Sequence, residues 1–154
     1  MKKVLTLVLV LSLISSLGFS QTDRFWTVNN DNHSNIATDK AVARLSYPAA
    51  FKLFNLDTQP LRQVLFSIVD KGPSNHSTVI SLPNAAGNIE QFEVFEASNF
   101  EPDLQAKFPE IRAYSGRGIT DRFATLKLSI SPQGIQTMVF RTDKENEFIE
   151  PYSK

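Results

Sequence analysis

Two histidines, a serine beside two glycines and three nearby glutamates are the residues here whose types could do chemistry. His33 and His76 each sit in an Asn-His-Ser tripeptide, Asn32-His33-Ser34 and Asn75-His76-Ser77. A zinc protease site needs two histidines one helical turn apart with a glutamate between them. Neither histidine has that setting, and both read as solvated loop residues. The same tripeptides match the N-glycosylation pattern. Ser115-Gly116-Arg117-Gly118 places glycines next to a serine, but a nucleophile elbow is Gly-x-Ser-x-Gly. Phosphate loops need more glycine, or a lysine ahead of Ser or Thr. Gly116 and Gly118 are therefore expected to permit a bulge or a positive-φ turn. Glu90, Glu93 and Glu96 are expected on a solvated face, since the alternation after Glu93 turns it outward. With no cysteine in the chain, disulfides, thiolate catalysis and cysteine metal ligands are excluded. No catalytic, metal or cofactor site is read in this chain.

The elements that carry these residues centre on Phe92 to Phe140. Phe92–Ala97 and Ile111–Gly118 read as strands, and Glu101–Phe108 as a short helix with Pro102 in its first turn and Pro109 at its end. Leu104 and Phe108 are four apart and share a face. Ala124 to Ile130 alternates strictly: Ala124, Leu126, Leu128 and Ile130 on one side, Thr125, Lys127 and Ser129 on the other. Ser131-Pro132-Gln133-Gly134 suits a type I turn, and Ile135–Phe140 returns as the hairpin partner.

Upstream, Lys2 and Lys3 precede an apolar run from Val4 to Leu17, and Gly18 and Ser20 supply small residues before Gln21. This reads as a secretory signal peptide, residues 1–20, cut after Ser20. The run falls short of the roughly 20 residues of a spanning helix, so no membrane association is expected once it is removed. Residues 21–154 are then one domain in a secreted or periplasmic setting. Phe25 and Trp26 read as an anchor on that domain, and Asn29 to Asn35 as a mobile loop. Asp39–Leu45 is either a short helix or an extended arm. Phe51–Leu56 reads as a strand, then Thr58 as a helix N-cap with Pro60 in the first turn. Leu61, Val64, Leu65 and Ile68 follow at helical spacing, and Lys71-Gly72-Pro73 ends the helix. Thr78–Leu82 is a strand, Pro83–Asn88 a loop, and Glu147–Pro151 a last edge strand or an exit. The fold expected is α+β: a mostly antiparallel sheet of about six strands with two helices packed on one face.

Composition excludes other classes. Hydrophobic residues make up 42% and charged residues 21%, a globular balance rather than a disordered one. Lys plus Arg and Asp plus Glu number 16 each, which gives no basic face for nucleic acid.

The run from Gly116 to Phe140 resembles the N-terminal region of large secreted bacterial zinc metalloproteases of the reprolysin-like kind. The resemblance rests on Gly116, Gly118, Ile119, Asp121, the alternating strand Ala124–Ile130, and Ser131, Pro132 and Gly134. Phe25-Trp26-Thr27, the leucine-rich first helix and Glu150-Pro151-Tyr152 also fit it. It implies a non-catalytic pro-region whose partner is a metalloprotease catalytic domain in the same precursor, with zinc only in that domain. The chain stops at Lys154 before any His-Glu-x-x-His, so an excised or truncated pro-region is expected. Without a cysteine thiolate to block zinc, inhibition would be steric, through an edge strand or the C-terminal tail. Two other classes stay open at this point: a free-standing secreted ligand- or peptide-binding module, and a small hydrolase.

Overall fold

The computed structural model describes residues 25–31, 36, 48, 50–69 and 76–152. The leader at 1–20, His33, the segment 39–45 and the stop at Lys71-Gly72-Pro73 lie outside these.

Ten elements follow in chain order. They are β1 (Trp26–Val28), β2 (Phe54–Leu56), α1 (Thr58–Phe66), β3 (Ser77–Pro83), β4 (Ile89–Glu96), α2 (Pro102–Lys107), β5 (Arg112–Gly118), β6 (Thr125–Ser131), β7 (Gly134–Phe140) and β8 (Glu147–Ile149). Strands β3 to β8 form a six-stranded sheet in sequence order, every neighbour antiparallel. Strands β1 and β2 make a separate antiparallel ribbon. The mostly antiparallel α+β architecture is therefore present.

Register sorts the side chains into two faces, because alternate residues point to opposite sides. One row across the sheet is Thr78, Val94, Gly116, Leu126, Val139 and Glu147; a parallel row is Glu96, Tyr114, Leu128, Thr137 and Ile149. Ile80, Phe92, Val94, Tyr114, Leu126, Leu128, Ile130 and Val139 on this side are all buried. They form one cluster with Leu61, Leu65 and Ile68 and with Phe25 and Trp26. The helical stripe and the alternating strand thus meet as their spacing required. The N-terminal anchor is also real. Trp26 Nε1 donates to the Ser81 carbonyl at 2.8 Å, which lets the indole bury its ring while satisfying its one donor.

Several local expectations are corrected. Asp57, not Thr58, is the N-cap residue of α1, and its side chain makes no cap hydrogen bond. Only Phe54–Leu56 of the 51–56 segment is strand. Helix α2 buries none of its residues; Leu104 is 42% exposed and Phe108, which caps its C-terminus, 44%, so the two helices are not packed together on one face. A six-residue helix offers one turn and a half, too little for a continuous apolar stripe. Gln105 holds it instead, donating to the Phe108 and Ile111 carbonyls.

Gly116 and Gly118 sit in regular pairing, opposite Val94 and Phe92. Among the described glycines only Gly87 and Gly134 take positive φ, and the pairing runs unbroken through Gly116 and Gly118, so neither the bulge nor the positive-φ turn expected there occurs. What requires glycine there is space. A Cβ on Gly116 would lie 2.8 Å from Val94 Cγ1, and one on Gly118 would overlap the Asp121 carbonyl oxygen.

Candidate functional site

The glutamates expected on a solvated face divide. Glu93 is exposed and accepts from Ser77 Oγ at 2.7 Å. Glu90 and Glu96 share the parity of Phe92 and Val94, so they point to the core side. Glu96 pairs with Arg112 at 2.9 Å. Glu90 pairs with Arg141 at 2.7 Å, and Arg141 has only 1% of its side chain exposed.

Arg141 gathers three elements. Its guanidinium reaches Glu90 on β4, Asp121 on the β5–β6 connection at 2.9 Å, and Glu147 on β8. Asn84 Nδ2 donates to Glu90 at 2.9 Å, and the Ala85 amide donates to Glu147 at 3.3 Å. Burial works against the charge on Arg141, but hydrogen bonds and charges from Glu147 and Glu90 outweigh it and hold the group protonated well above its ordinary range. The Phe123 amide, which donates to Asp121 at 3.1 Å, pulls the Asp121 carboxyl below the usual carboxylate range. Partial desolvation opposes that shift, and Arg141 adds to it.

The seven motif residues fall at the two ends of β6. Gly116 and Gly118 lie on β5. Ile119 donates its amide to the Gln91 carbonyl at 2.8 Å, and Asp121 then binds Arg141. At the far end, Ser131 Oγ accepts from the Gln133 amide at 3.2 Å, Pro132 is exposed, and Gly134 turns the chain with φ +125°. Arg62 on α1 donates to the Ser131 carbonyl at 3.0 Å and to that of Glu110 at 3.4 Å. The motif therefore ties the central strand at both ends and does not converge on one chemical site.

Among the described residues, the other face of the sheet is exposed over Val79, Phe95, Arg117, Lys127, Phe140 and Phe148. Its central row runs Ser77, Phe95, Ser115, Lys127, Met138, Phe148, one residue from each strand. Beside it run Val79, Glu93, Arg117, Thr125 and Phe140 on one flank and Ala113, Ser129 and Gln136 on the other. A groove of about 740 Å³ lies here, with Ser115, Lys127, Ser129, Met138, Phe148 and Glu150 among its lining residues. Small residues on β5 and β6 make the floor, and Phe148, 60% exposed, stands at the rim. Lys127 Nζ donates to Ser115 Oγ at 2.7 Å. Lys127 is exposed, and its ammonium donates to the serine hydroxyl, so the pair stands as a polar contact on the surface of the groove.

The tail expected to act on a partner is tied to its own domain. Strand β8 pairs with β7 over three residues, and Tyr152 stacks on Phe51 with ring centroids 6.2 Å apart. Among the described residues no group of three His, Cys, Asp or Glu is placed to hold a metal, and no helix is long and apolar enough to cross a membrane. Comparison with protein-family models, with curated proteins and with solved structures gives no match.

Proposed function

We propose that this domain is the non-catalytic N-terminal pro-region of a secreted zinc metalloprotease, acting by binding the catalytic domain of the same precursor and holding it latent. The sequence resemblance supplies the family. The structural observation that supports it is the position of β8. It is the last strand of the six-stranded sheet, and the chain leaves along it through Glu150, Pro151 and Tyr152. Chain that continues past Tyr152 leaves from a sheet edge, where main-chain pairing and steric cover of a cleft are both available. Covalent linkage raises the effective concentration, so weak intrinsic affinity suffices. Secretion or periplasmic export belongs to the same proposal and rests on the leader at 1–20.

The test adds the purified chain to a mature reprolysin-like protease whose own precursor carries the Gly-x-Gly-Ile-x-Asp segment, and follows binding and peptide cleavage. Inhibition that deepens with chain concentration supports the reading. No binding at high micromolar concentration, and no effect on protease refolding, would overturn it.

The open-face groove favours a second reading, a free-standing secreted binding module, and its one-sided shape suits a peptide better than a compact ligand. Inhibition of no protease, with retained binding of a peptide, would select it.

A further inference from the structure

The open face of the sheet has a shape and a charge that select one kind of occupant. Its floor is low over β5 and β6, where Ala113, Ser115 and Ser129 face outward. Phe95 on β4 and Met138 on β7 stand on either side of that floor, in register with Ser115 and Lys127. Three strand spacings of about 4.8 Å separate the two walls, about 14 Å in all. An α-helix with its side chains is roughly 10–12 Å across, so one helix fits between them. An added sheet would ride on the tall aromatic residues and leave the floor empty, since packed sheets meet across several strands at even height. A compact ligand would be covered on one side only, whereas small-molecule sites enclose most of their ligand.

Charge narrows the choice further. Lys127 and Arg117 both face outward from the centre of this surface and are exposed. Among the described residues neither makes an ion pair; Lys127 bonds only to Ser115, and Glu93, opposite Arg117, accepts a hydrogen bond from Ser77 and keeps its charge beside that cation. The two cations are diagonal neighbours on adjacent strands, roughly 7–8 Å apart at their backbones. Two acidic residues four apart on a helix have Cβ atoms about 6 Å apart, and flexible side chains on both partners close that difference. Val79, Phe95, Phe140 and Phe148 surround the pair and are all partly exposed, which calls for apolar residues around the carboxylates.

We infer that this face docks an amphipathic helix of a partner protein, carrying two acidic residues one turn apart within an apolar stripe. Seven-residue strands give the trough a length of about 23 Å, enough for a helix of about 15 residues. The inference rests on the reading of the domain as a binding domain, and it holds for the pro-region and for the free-standing module alike. Lys127 and Arg117 set the register of the helix, and the two phenylalanines at the rim, Phe95 and Phe148, supply contact area.

The test uses the purified chain and a synthetic alanine-leucine helix of about 15 residues with glutamates at i and i+4, beside the same peptide with both glutamates changed to glutamine. Amide resonances of the protein are followed during titration. Expected are changes clustered at Ser115, Lys127, Ser129, Met138 and Phe148, with binding weakened about tenfold by Lys127→Gln and by the glutamine peptide. Phe148→Ala should weaken both peptides alike. These positions are at the surface or in the open groove, so the fold is expected to survive, and unchanged core resonances verify it. Changes confined to other surfaces, equal affinity for the two peptides, or no response at about 1 mM, the range of the weakest useful contacts, overturn the inference. Binding of a protease without the glutamate peptide refutes the trough and leaves the pro-region reading standing; binding of the peptide without any protease does the reverse.

Discussion

Arg141 sets one positive charge against three carboxylates, with almost none of its side chain exposed to water. Removing it would leave Glu90, Asp121 and Glu147 facing each other in a space that partly excludes solvent. Breaking a buried pair in this way costs about 3–5 kcal/mol. Arg141→Met is thus expected to lower stability by that order in a denaturant titration, and Arg141→Lys to recover only part, because lysine cannot serve three carboxylates from one planar group. The pH dependence has a defined sign. The folded-state pKa of Asp121 is depressed, so its contribution is complete above its unfolded value, about 3.9, and is lost as pH falls through the depressed folded value. Asp121→Asn should therefore destabilise the domain at neutral pH and flatten the acid limb of its stability profile below about pH 4. A steep unchanged acid limb in that variant would show that Asp121 does not govern it.

The two helices differ in what they hold. Helix α1 inserts Leu61 and Leu65 into the sheet core with no exposure, and Arg62 binds both the approach to β5 and the end of β6. Leu65→Ala, or Leu128→Ala on the facing sheet, is expected to cost about 2–5 kcal/mol. Helix α2 leaves Leu104 and Phe108 in water to a large extent, so alanine at either site should change stability by no more than about 0.5 kcal/mol. Chemical denaturation of the four variants under one set of conditions checks both halves. A large loss at Leu104 would mean that α2 packs against something, which its exposure denies.

Across the whole molecule, the chain closes on itself through its first and last described segments. Trp26 reaches the Ser81 carbonyl of β3, at one side of the six-stranded sheet, while β8 and Tyr152 finish the other. The two outer strands are thereby managed differently. An exposed edge invites pairing with another chain; β3 is partly covered by the N-terminal anchor, and β8 is kept to three residues and followed by Pro151. Trp26→Phe keeps most of the apolar area and deletes the donor, leaving the Ser81 carbonyl without this partner. It is expected to cost about 1–3 kcal/mol and to raise the hydrogen exchange of β3 amides above that of β5 and β6. Uniform exchange across the sheet would show that the anchor is not what secures this edge.

Strands β3 to β7, the hairpin and the helix stripe were legible in the sequence, since each follows from local spacing: period two in Thr125–Ser131, helical spacing in Leu61, Val64 and Leu65, proline and glycine at the turn. It also marked Phe25 and Trp26 as an anchor, because large aromatic side chains next to polar runs need somewhere to bury. Glu90 and Arg141 were open to the same reading. Each continues the inward parity of its strand, from Phe92 and Val94 and from Ile135, Thr137 and Val139, and treating charge as a sign of solvent hid them. Tertiary structure alone decided the rest. Whether an inward charge is tolerated depends on which carboxylates arrive from β4, β8 and the β5–β6 connection, residues up to 51 positions apart, and pairing at that distance leaves no local trace. The spacing at Gly116 and Gly118 announced a backbone conformation, while the cause is contact with Val94 and with the Asp121 carbonyl, brought there by sheet pairing and by the following loop. The trough on the open face arises in the same way: Ala113, Ser115 and Ser129 come from two strands, Phe95 and Met138 from two more, and only the register of the sheet sets them side by side.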